Sequence, residues 1–216
     1  MSAEVFYITG TDTEVGKTFV TTYLLNKYKK QNKIAIGLKP IASDAKIVNN
    51  VLVNQDALLI KKHSSLNLDY NEINPFVFQE AIAPHIAAKK INQEITLDIL
   101  ENKISKTINK YQNLVDYILI EGAGGYLTPI NFNHTFHDLI NKLSKKFTIN
   151  IILVVKIKLG CINHALLTSN YIINNKLNYF GWIANDFDNN NEVDIENIET
   201  LKGLIKAPLF FSIPSC

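Results

Sequence analysis

Residues 5–18 limit what this chain can fold into more than any other stretch. Val5-Phe6-Tyr7-Ile8-Thr9 is an apolar run of the kind that forms a buried strand. Gly10-Thr11-Asp12-Thr13-Glu14-Val15-Gly16 is a glycine-bounded loop, and Lys17-Thr18 opens a helical stretch that runs to Gln31. Strand, loop, Gly-Lys-Thr and helix in that order form a phosphate-binding loop. Loop N–H groups and the helix N-terminus point at an anion, Lys17 reaches its oxygens, and the Thr18 hydroxyl is placed to hold Mg²⁺. Five residues separate Gly10 from Gly16, one more than the usual pattern, which leaves Thr13 and Glu14 at the tip. The alternative is an ordinary glycine turn before an amphipathic helix.

The rest of the chain fits an α/β fold. Short apolar runs at 4–9, 34–38, 116–121, 150–156, 179–184 and 209–213 alternate with helical stretches at 17–31, 54–62, 96–111, 135–146, 161–175 and 193–205. Several strands are apolar on consecutive positions, which predicts a mainly parallel sheet with helices on both faces. Residues 63–92 are the least regular and read as an excursion near the strand ends. With no repeat or linker, residues 1–216 read as a single domain of the P-loop NTPase type. Ligands of such sheets bind beyond the carboxyl ends of the strands, so chemistry is expected just after each strand.

Composition narrows the chemistry. Hydrophobic residues make up 47% and charged residues 19%, the balance of a globular chain. A net charge of +2 gives no case for nucleic acid or an acidic membrane. All 22 basic residues are lysine, so phosphoryl charge must be met by lysines and a metal ion, without an arginine finger. Cys161 and Cys216 form no metal or disulfide pattern, the N-terminus leads straight into the first strand without a signal peptide, and Ile151–Val155 is too short to span a bilayer. Cytoplasm is the simplest compartment.

Four strand ends carry candidate groups. Lys39-Pro40-Ile41-Ala42-Ser43 follows the second strand and offers an ammonium and a hydroxyl to the crevice. Asp56 opens a helix, either as a favourable partner of its dipole or as a Mg²⁺ ligand. Asp116-Tyr117-Ile118-Leu119-Ile120-Glu121 ends in a carboxylate followed by Gly122-Ala123-Gly124-Gly125, the pattern of a Walker B acid with backbone free to approach phosphate. Lys158-Leu159-Gly160-Cys161-Ile162-Asn163-His164 opens another helix, whose N–H groups suit a carboxylate. Cys161 reads as a packing residue, and His134, His137 and His164 receive no role. Asn185-Asp186 either reads a nucleotide base or starts a turn.

Together, Gly10–Thr18, Lys39–Ser43, Pro84-His85, Glu121–Gly125, Lys158–His164 and Trp182–Asp186 resemble the ATP-dependent dethiobiotin synthetase family, in the family's order and over nearly the whole chain. The five-residue loop spacing is also that family's. The resemblance implies ATP-dependent carboxylation of 7,8-diaminononanoate with CO₂ or bicarbonate and closure of the ureido ring of dethiobiotin, in biotin synthesis. It implies that Glu14, Val15, Gly16, Lys17, Thr18 and Phe19 form the ATP phosphate loop, and that Thr18, Asp56 and Glu121 bind Mg²⁺. Lys39 is then the active-site lysine and Ser43 a substrate contact, with Thr13 and Lys17 touching substrate and phosphate together. Glu121, Gly122, Ala123 and Gly124 contact ATP and substrate, and Asn185 and Asp186 contact the base. Ile213, Pro214 and Ser215 match further base-contacting positions; a later acidic contact of the family has no counterpart before Cys216. The family is a homodimer, and Gly160, Cys161, Ile162 and Asn163 match the segment that meets the substrate tail across the interface.

Two other readings remain open on sequence. A partitioning or positioning ATPase switch shares the P-loop, but switches commonly carry an extra lysine early in the loop, where Thr11 and Asp12 stand here, and some carry a basic amphipathic tail. A nucleotide-binding module without turnover would be expected to lose Lys17, Thr18, Asp56 or Glu121, all of which are present.

Overall fold

The computed structural model describes residues 2–188 and 190–215; Cys216 lies outside them. In chain order the strands are β1 (Glu4–Gly10), β2 (Ala35–Leu38), β3 (Ile41–Ala42), β4 (Lys46–Val48), β5 (Val51–Val53), β6 (Phe76–Val77), β7 (Tyr117–Glu121), β8 (Ile149–Lys156), β9 (Tyr179–Phe187) and β10 (Leu209–Pro214). The helices are α1 (Lys17–Lys30), α2 (Gln55–His63), α3 (Tyr70–Ile73), α4 (Pro84–Lys90), α5 (Leu97–Tyr111), α6 (Phe136–Leu143), α7 (Cys161–Asn174) and α8 (Glu192–Leu204).

Six strands form one sheet in the order β10-β9-β8-β1-β7-β2, and every pairing in it is parallel. Each of the six apolar runs expected from sequence is one of these strands. Both faces are buried, which explains the consecutive apolar residues. On β8 and β9, Val154 and Ile183 pack into the larger core, while Leu153, Val155, Trp182 and Ala184 pack on the other face with Cys161 and Ala165 of α7 and Leu201 of α8. The period of two along a strand sends alternate residues to opposite faces. On α1, Lys17, Val20, Thr21, Leu24, Leu25 and Tyr28 are buried, a helical stripe that turns the first residue of the helix inward toward the crevice.

β1 lies between β7 and β8. The chain leaves β1 toward β2 on one side, returns to β7, then crosses to β8 on the other. The loop after β1 therefore sits where the winding reverses, the place where open parallel sheets bind ligands.

Two regions differ from the sequence expectation. Residues 44–53, which lie in none of the helices or strands expected from sequence, hold an antiparallel hairpin of β4 and β5. Asn49 and Asn50 turn it with φ of 51° and 62°, the left-handed pair that a two-residue hairpin loop demands. Residues 63–92 are more regular than expected. Asp69 and Glu72 form a reciprocal capping box on α3, and Pro84 stands in the first turn of α4, where its missing N–H costs nothing. The pairing of β3 with β6 anchors this excursion beside the end of β2.

Candidate active site

The phosphate loop closes on itself. Glu14 and Gly16 both take left-handed backbone, with φ of 58° and 90°. A side chain at Gly16 would be strained at this φ and would have to push Asn185 aside, because its Cβ would lie 2.1 Å from that residue's Nδ2. That Nδ2 donates to the Val15 carbonyl at 2.9 Å, so the end of β9 clamps the loop. Gly16 caps α1 without any side-chain hydrogen bond, which leaves the first N–H groups of the helix for an anion. Val15 itself is buried in the core, so its contribution to a ligand is backbone.

Glu121 organises the site. It is fully buried at the tip of β7. Oε1 accepts from Thr18 Oγ1 at 2.7 Å and from Lys39 Nζ at 2.5 Å, and Oε2 accepts from Thr21 Oγ1 at 2.8 Å. Lys39 Nζ also pairs with Asp56 Oδ2 at 2.9 Å. Thr18, Lys39, Asp56 and Glu121, far apart in sequence, thus converge on one point. Burial pulls the Lys39 pKa down, but the carboxylates of Glu121 and Asp56 outweigh it and hold the ammonium above its ordinary value. Lys17 behaves in the opposite way. Its Nζ donates to the Asp12 carbonyl at 2.9 Å, and burial lowers its pKa to about 8, with Glu121 pulling up and Lys39 pushing down.

Side chains that the sequence reading passed over hold these groups in place. Thr21 lies one turn beyond Thr18 on the same face of α1, a spacing that could have flagged it. Asn74, buried at the end of α3, donates to the Lys39 carbonyl at 2.7 Å, and the Lys39 N–H donates to the Ile73 carbonyl at 2.9 Å. Asn54 caps α2 by accepting from the Ala57 N–H at 3.1 Å and donates to the Ser43 carbonyl at 2.8 Å. It therefore ties Ser43 to the helix turn that carries Asp56. The Ser43 hydroxyl is buried with no hydrogen-bond partner among the described residues.

The residues fit a hard divalent cation. Asp56 and Glu121 flank the Lys39 ammonium, and the Thr18 hydroxyl bonds Glu121, so two carboxylates and a hydroxyl lie together, a donor set that suits Mg²⁺ alongside phosphate and water. Among the described residues no group of three or more His, Cys, Asp or Glu could hold a metal.

Beside the loop, Glu14, Gly16, Phe19, Asn185, Asp186, Pro214 and Ser215 line a cavity of about 280 Å³. The Asn185 Oδ1 atom is buried and, among the described residues, unpartnered, an acceptor without a donor. Asp186 takes φ of 55°, accepts from Ser215 Oγ at 2.9 Å and pairs with Lys156; those two partners lower its pKa. Ile213 packs into the core and does not line the cavity. A larger cavity of about 730 Å³, between α4, the start of α5 and the loop before α6, contains none of the candidate residues.

Two candidate segments remain to be placed. Gly122-Ala123-Gly124 follows Glu121 with the Gly122 N–H bonded to the Ile8 carbonyl at 3.0 Å, which keeps the backbone close to the phosphate loop. The start of α7 is open. Gly160 caps it with φ of 88° and no side-chain bond, Leu159 is fully exposed, Asn163 is exposed, Ile162 is half-buried, and only Cys161 turns into the core.

A parallel sheet with a clamped phosphate loop and a buried acid at the neighbouring strand tip defines a P-loop nucleotide-binding protein. Solved structures agree on the fold. The chain is similar to the MinD cell division protein of Aquifex aeolicus, with a TM-score of 0.59, 17% identity and coverage of 99% of this chain and 83% of that one. It is equally similar to the septum site-determining protein MinD complexed with Mg-ADP from Pyrococcus horikoshii, with a TM-score of 0.59 and 16% identity over 99% of this chain and 82% of that one. At such identities only the fold is shared.

Sequence relatives are closer. The family model described as an AAA domain matches residues 4–216. The ATP-dependent dethiobiotin synthetase BioD of Pseudoalteromonas translucida is 42% identical over 209 residues, 97% of this chain and 89% of that protein. The enzymes of the same name from Wigglesworthia glossinidia brevipalpis and Escherichia coli are 41% and 38% identical over the same share of this chain. The chain belongs to the ATP-dependent dethiobiotin synthetase family.

Proposed function

We propose that residues 1–216 work as one ATP-binding domain that carboxylates 7,8-diaminononanoate with CO₂ and closes the ureido ring to dethiobiotin. The observation that carries this reading is the convergence of Thr18, Lys39, Asp56 and Glu121 beside the phosphate loop, in a chain of this family.

One substrate amine adds to CO₂ and loses a proton, giving a carbamate. A carbamate oxygen then attacks the γ-phosphorus of ATP, and the bond to ADP breaks. The product is a carbamic–phosphoric anhydride, whose carbonyl carbon the second amine attacks. That amine loses a proton, the C–O bond to phosphate breaks, the ring closes, and phosphate leaves. Every step concentrates negative charge, and preorganised cations are the effective means to offset it. Lys17, at the helix start, follows the γ-phosphoryl group. Lys39, across the crevice, meets the carbamate and its phosphorylated form. Thr18, Asp56 and Glu121 would hold Mg²⁺, which would supply further charge neutralisation. The loop N–H groups of Glu14 to Phe19 hold the phosphates, and Thr13 stands at the tip toward the substrate. Gly122 to Gly124 bring backbone to the reacting groups, and the buried Ser43 hydroxyl is free to bond the substrate.

The unpartnered Asn185 Oδ1 supports an adenine amino group as its donor, in the cavity that Phe19, Asp186, Pro214 and Ser215 complete. Ile213 supports that wall from the core. The open start of α7 supports a homodimer in which Gly160 to Asn163 of one subunit receive the substrate carboxylate at the other subunit's crevice. The proposed location is the cytoplasm; among the described residues no helix is long and apolar enough to cross a membrane.

ATP hydrolysis measured with and without 7,8-diaminononanoate and bicarbonate tests the proposal. Turnover should depend on both. Hydrolysis indifferent to the diamine would support a switch instead.

A further inference from the structure

We propose that Lys39 is the resident cation of the metal site: its ammonium stands where a divalent ion would stand, and metal enters only as Lys39 swings away toward the substrate. The proposal rests on the metal assignment given above. Its ground is a shared atom. Glu121 Oε1 accepts from both Thr18 Oγ1, at 2.7 Å, and Lys39 Nζ, at 2.5 Å, while Asp56 Oδ2 closes the other side at 2.9 Å. The ammonium therefore already touches both carboxylates of the metal set and shares an oxygen with its hydroxyl.

Chemistry explains why something must stand there. A fully buried carboxylate without a counter-charge is strongly disfavoured, and Glu121 is fully buried. Lys17 does not serve, since its Nζ turns to the Asp12 carbonyl. An ammonium and a small divalent cation seek the same oxygens, and at such separations they repel each other. The two are alternatives, not companions. The lysine is built for the exchange. Its backbone is fixed at N–H and carbonyl by Ile73 and Asn74, while its four-carbon stem can redirect the head. Before nucleotide and metal arrive, the group that must meet the carbamate is held in the metal's place. Loading of the metal and release of Lys39 are then a single event.

The test needs no diamine. Mn²⁺ binding to the full chain without nucleotide is measured by calorimetry and by the electron spin resonance of the free ion, for the natural protein, Lys39→Met and the double variant Lys39→Met with Glu121→Gln. Lys39→Met keeps the stem and removes the charge. It should bind Mn²⁺ at least about tenfold more tightly than the natural protein, because a like charge has left the site. Mn²⁺ should raise its Tm and leave that of the natural protein nearly unmoved, and the double variant should lose the gain. A folded Lys39→Met with the natural protein's Mn²⁺ affinity overturns the proposal. If Lys39→Met does not fold, the natural protein decides the matter through the NMR signal of its nitrogen-15-labelled Lys39 ammonium. That signal should move when Mg-ADP binds; a signal unchanged by Mg-ADP overturns the proposal. No dethiobiotin is made in either measurement, so failure here is distinct from failure of diamine-dependent turnover.

Discussion

Two junctions of this molecule share one local geometry and have opposite surroundings. At both, a parallel strand runs into a helix through a left-handed glycine that caps the helix without a side-chain bond: Gly16 at φ 90° and Gly160 at φ 88°. Around Gly16 the chain closes, with Asn185 so near that a Cβ would have to displace it. Around Gly160, apart from its neighbours and its own helix backbone, no atom of the described residues lies within 4 Å of where a Cβ would be, and Leu159 beside it is fully exposed. The same backbone device presents N–H groups in each case. Among the described residues the Gly16 junction is enclosed by its own chain and the α7 junction is not. In the proposed function the first is the finished site for the nucleotide phosphates, and the second is unfinished until a second copy completes it.

The largest effects should come from the finished side. Lys17→Ala and Lys39→Ala should each lower kcat by roughly a hundred- to thousand-fold, the effect of removing one transition-state donor. Lys39→Ala should leave ATP binding largely intact, since among the described residues the Lys39 ammonium pairs with Glu121 and Asp56 and not with the phosphate loop. Steady-state kinetics with a fluorescent ATP analogue check both, and full activity in Lys39→Ala would remove it from the mechanism. Glu121→Gln should raise the Mg²⁺ concentration for half-maximal rate by more than about tenfold, the scale of lost metal-site interactions. An unchanged Mg²⁺ titration would take Glu121 out of the metal site.

The unfinished side answers to complementation. Lys39→Ala breaks one crevice, and Asn163→Trp blocks the start of α7. Each homodimer should be inactive if the site is shared. A purified heterodimer should regain about half the natural activity, because both defects fall in one site and the other is intact. No recovery in a proven heterodimer would mean that the α7 start only caps its own helix.

The smallest effect concerns the clamp and the charge at the first junction. Asn185→Ala removes the bond to Val15 and should weaken ATP binding by about 1 kcal/mol, or roughly fivefold. Lys17 gives a proton signature. Its pKa is lowered from 10.5 to about 8 by burial in the ligand-free crevice, and bound phosphate should restore the ammonium. Nucleotide binding should therefore take up protons increasingly as pH rises through 8, read as a buffer-dependent binding enthalpy. The sign for folding follows from the same shift. Between pH 8 and 10.5 the unfolded chain holds more protons at this lysine, so its contribution to stability rises with pH across that window.

Much of this was legible in the sequence because it depends on local order. The six sheet strands and the Gly10–Thr18 junction were read from apolar runs and glycine spacing, and the strand-end rule pointed to Lys39 and Glu121. Asn74 was not, since nothing local marks an asparagine that holds the Lys39 backbone, and Thr21 was missed although its spacing from Thr18 puts it on the same face of α1. The hairpin of residues 46–53 was passed over although Asn49-Asn50 between apolar pairs is a turn signal. Its strands are three residues each, too short for alternation to register. Ile213 matched a base-contacting position, yet the alternation of β10 sends its side chain to the core and leaves Pro214 and Ser215 at the cavity.

The central claim is that carbamate oxygen becomes phosphate oxygen in this crevice. Carbon dioxide labelled with heavy oxygen, supplied with ATP and 7,8-diaminononanoate in a rapid single turnover, tests it by mass spectrometry of the released phosphate. Ring closure through the carbamic–phosphoric anhydride predicts one labelled oxygen in phosphate for each dethiobiotin formed. Dethiobiotin accompanied by unlabelled phosphate, or phosphate released without dethiobiotin, would contradict it.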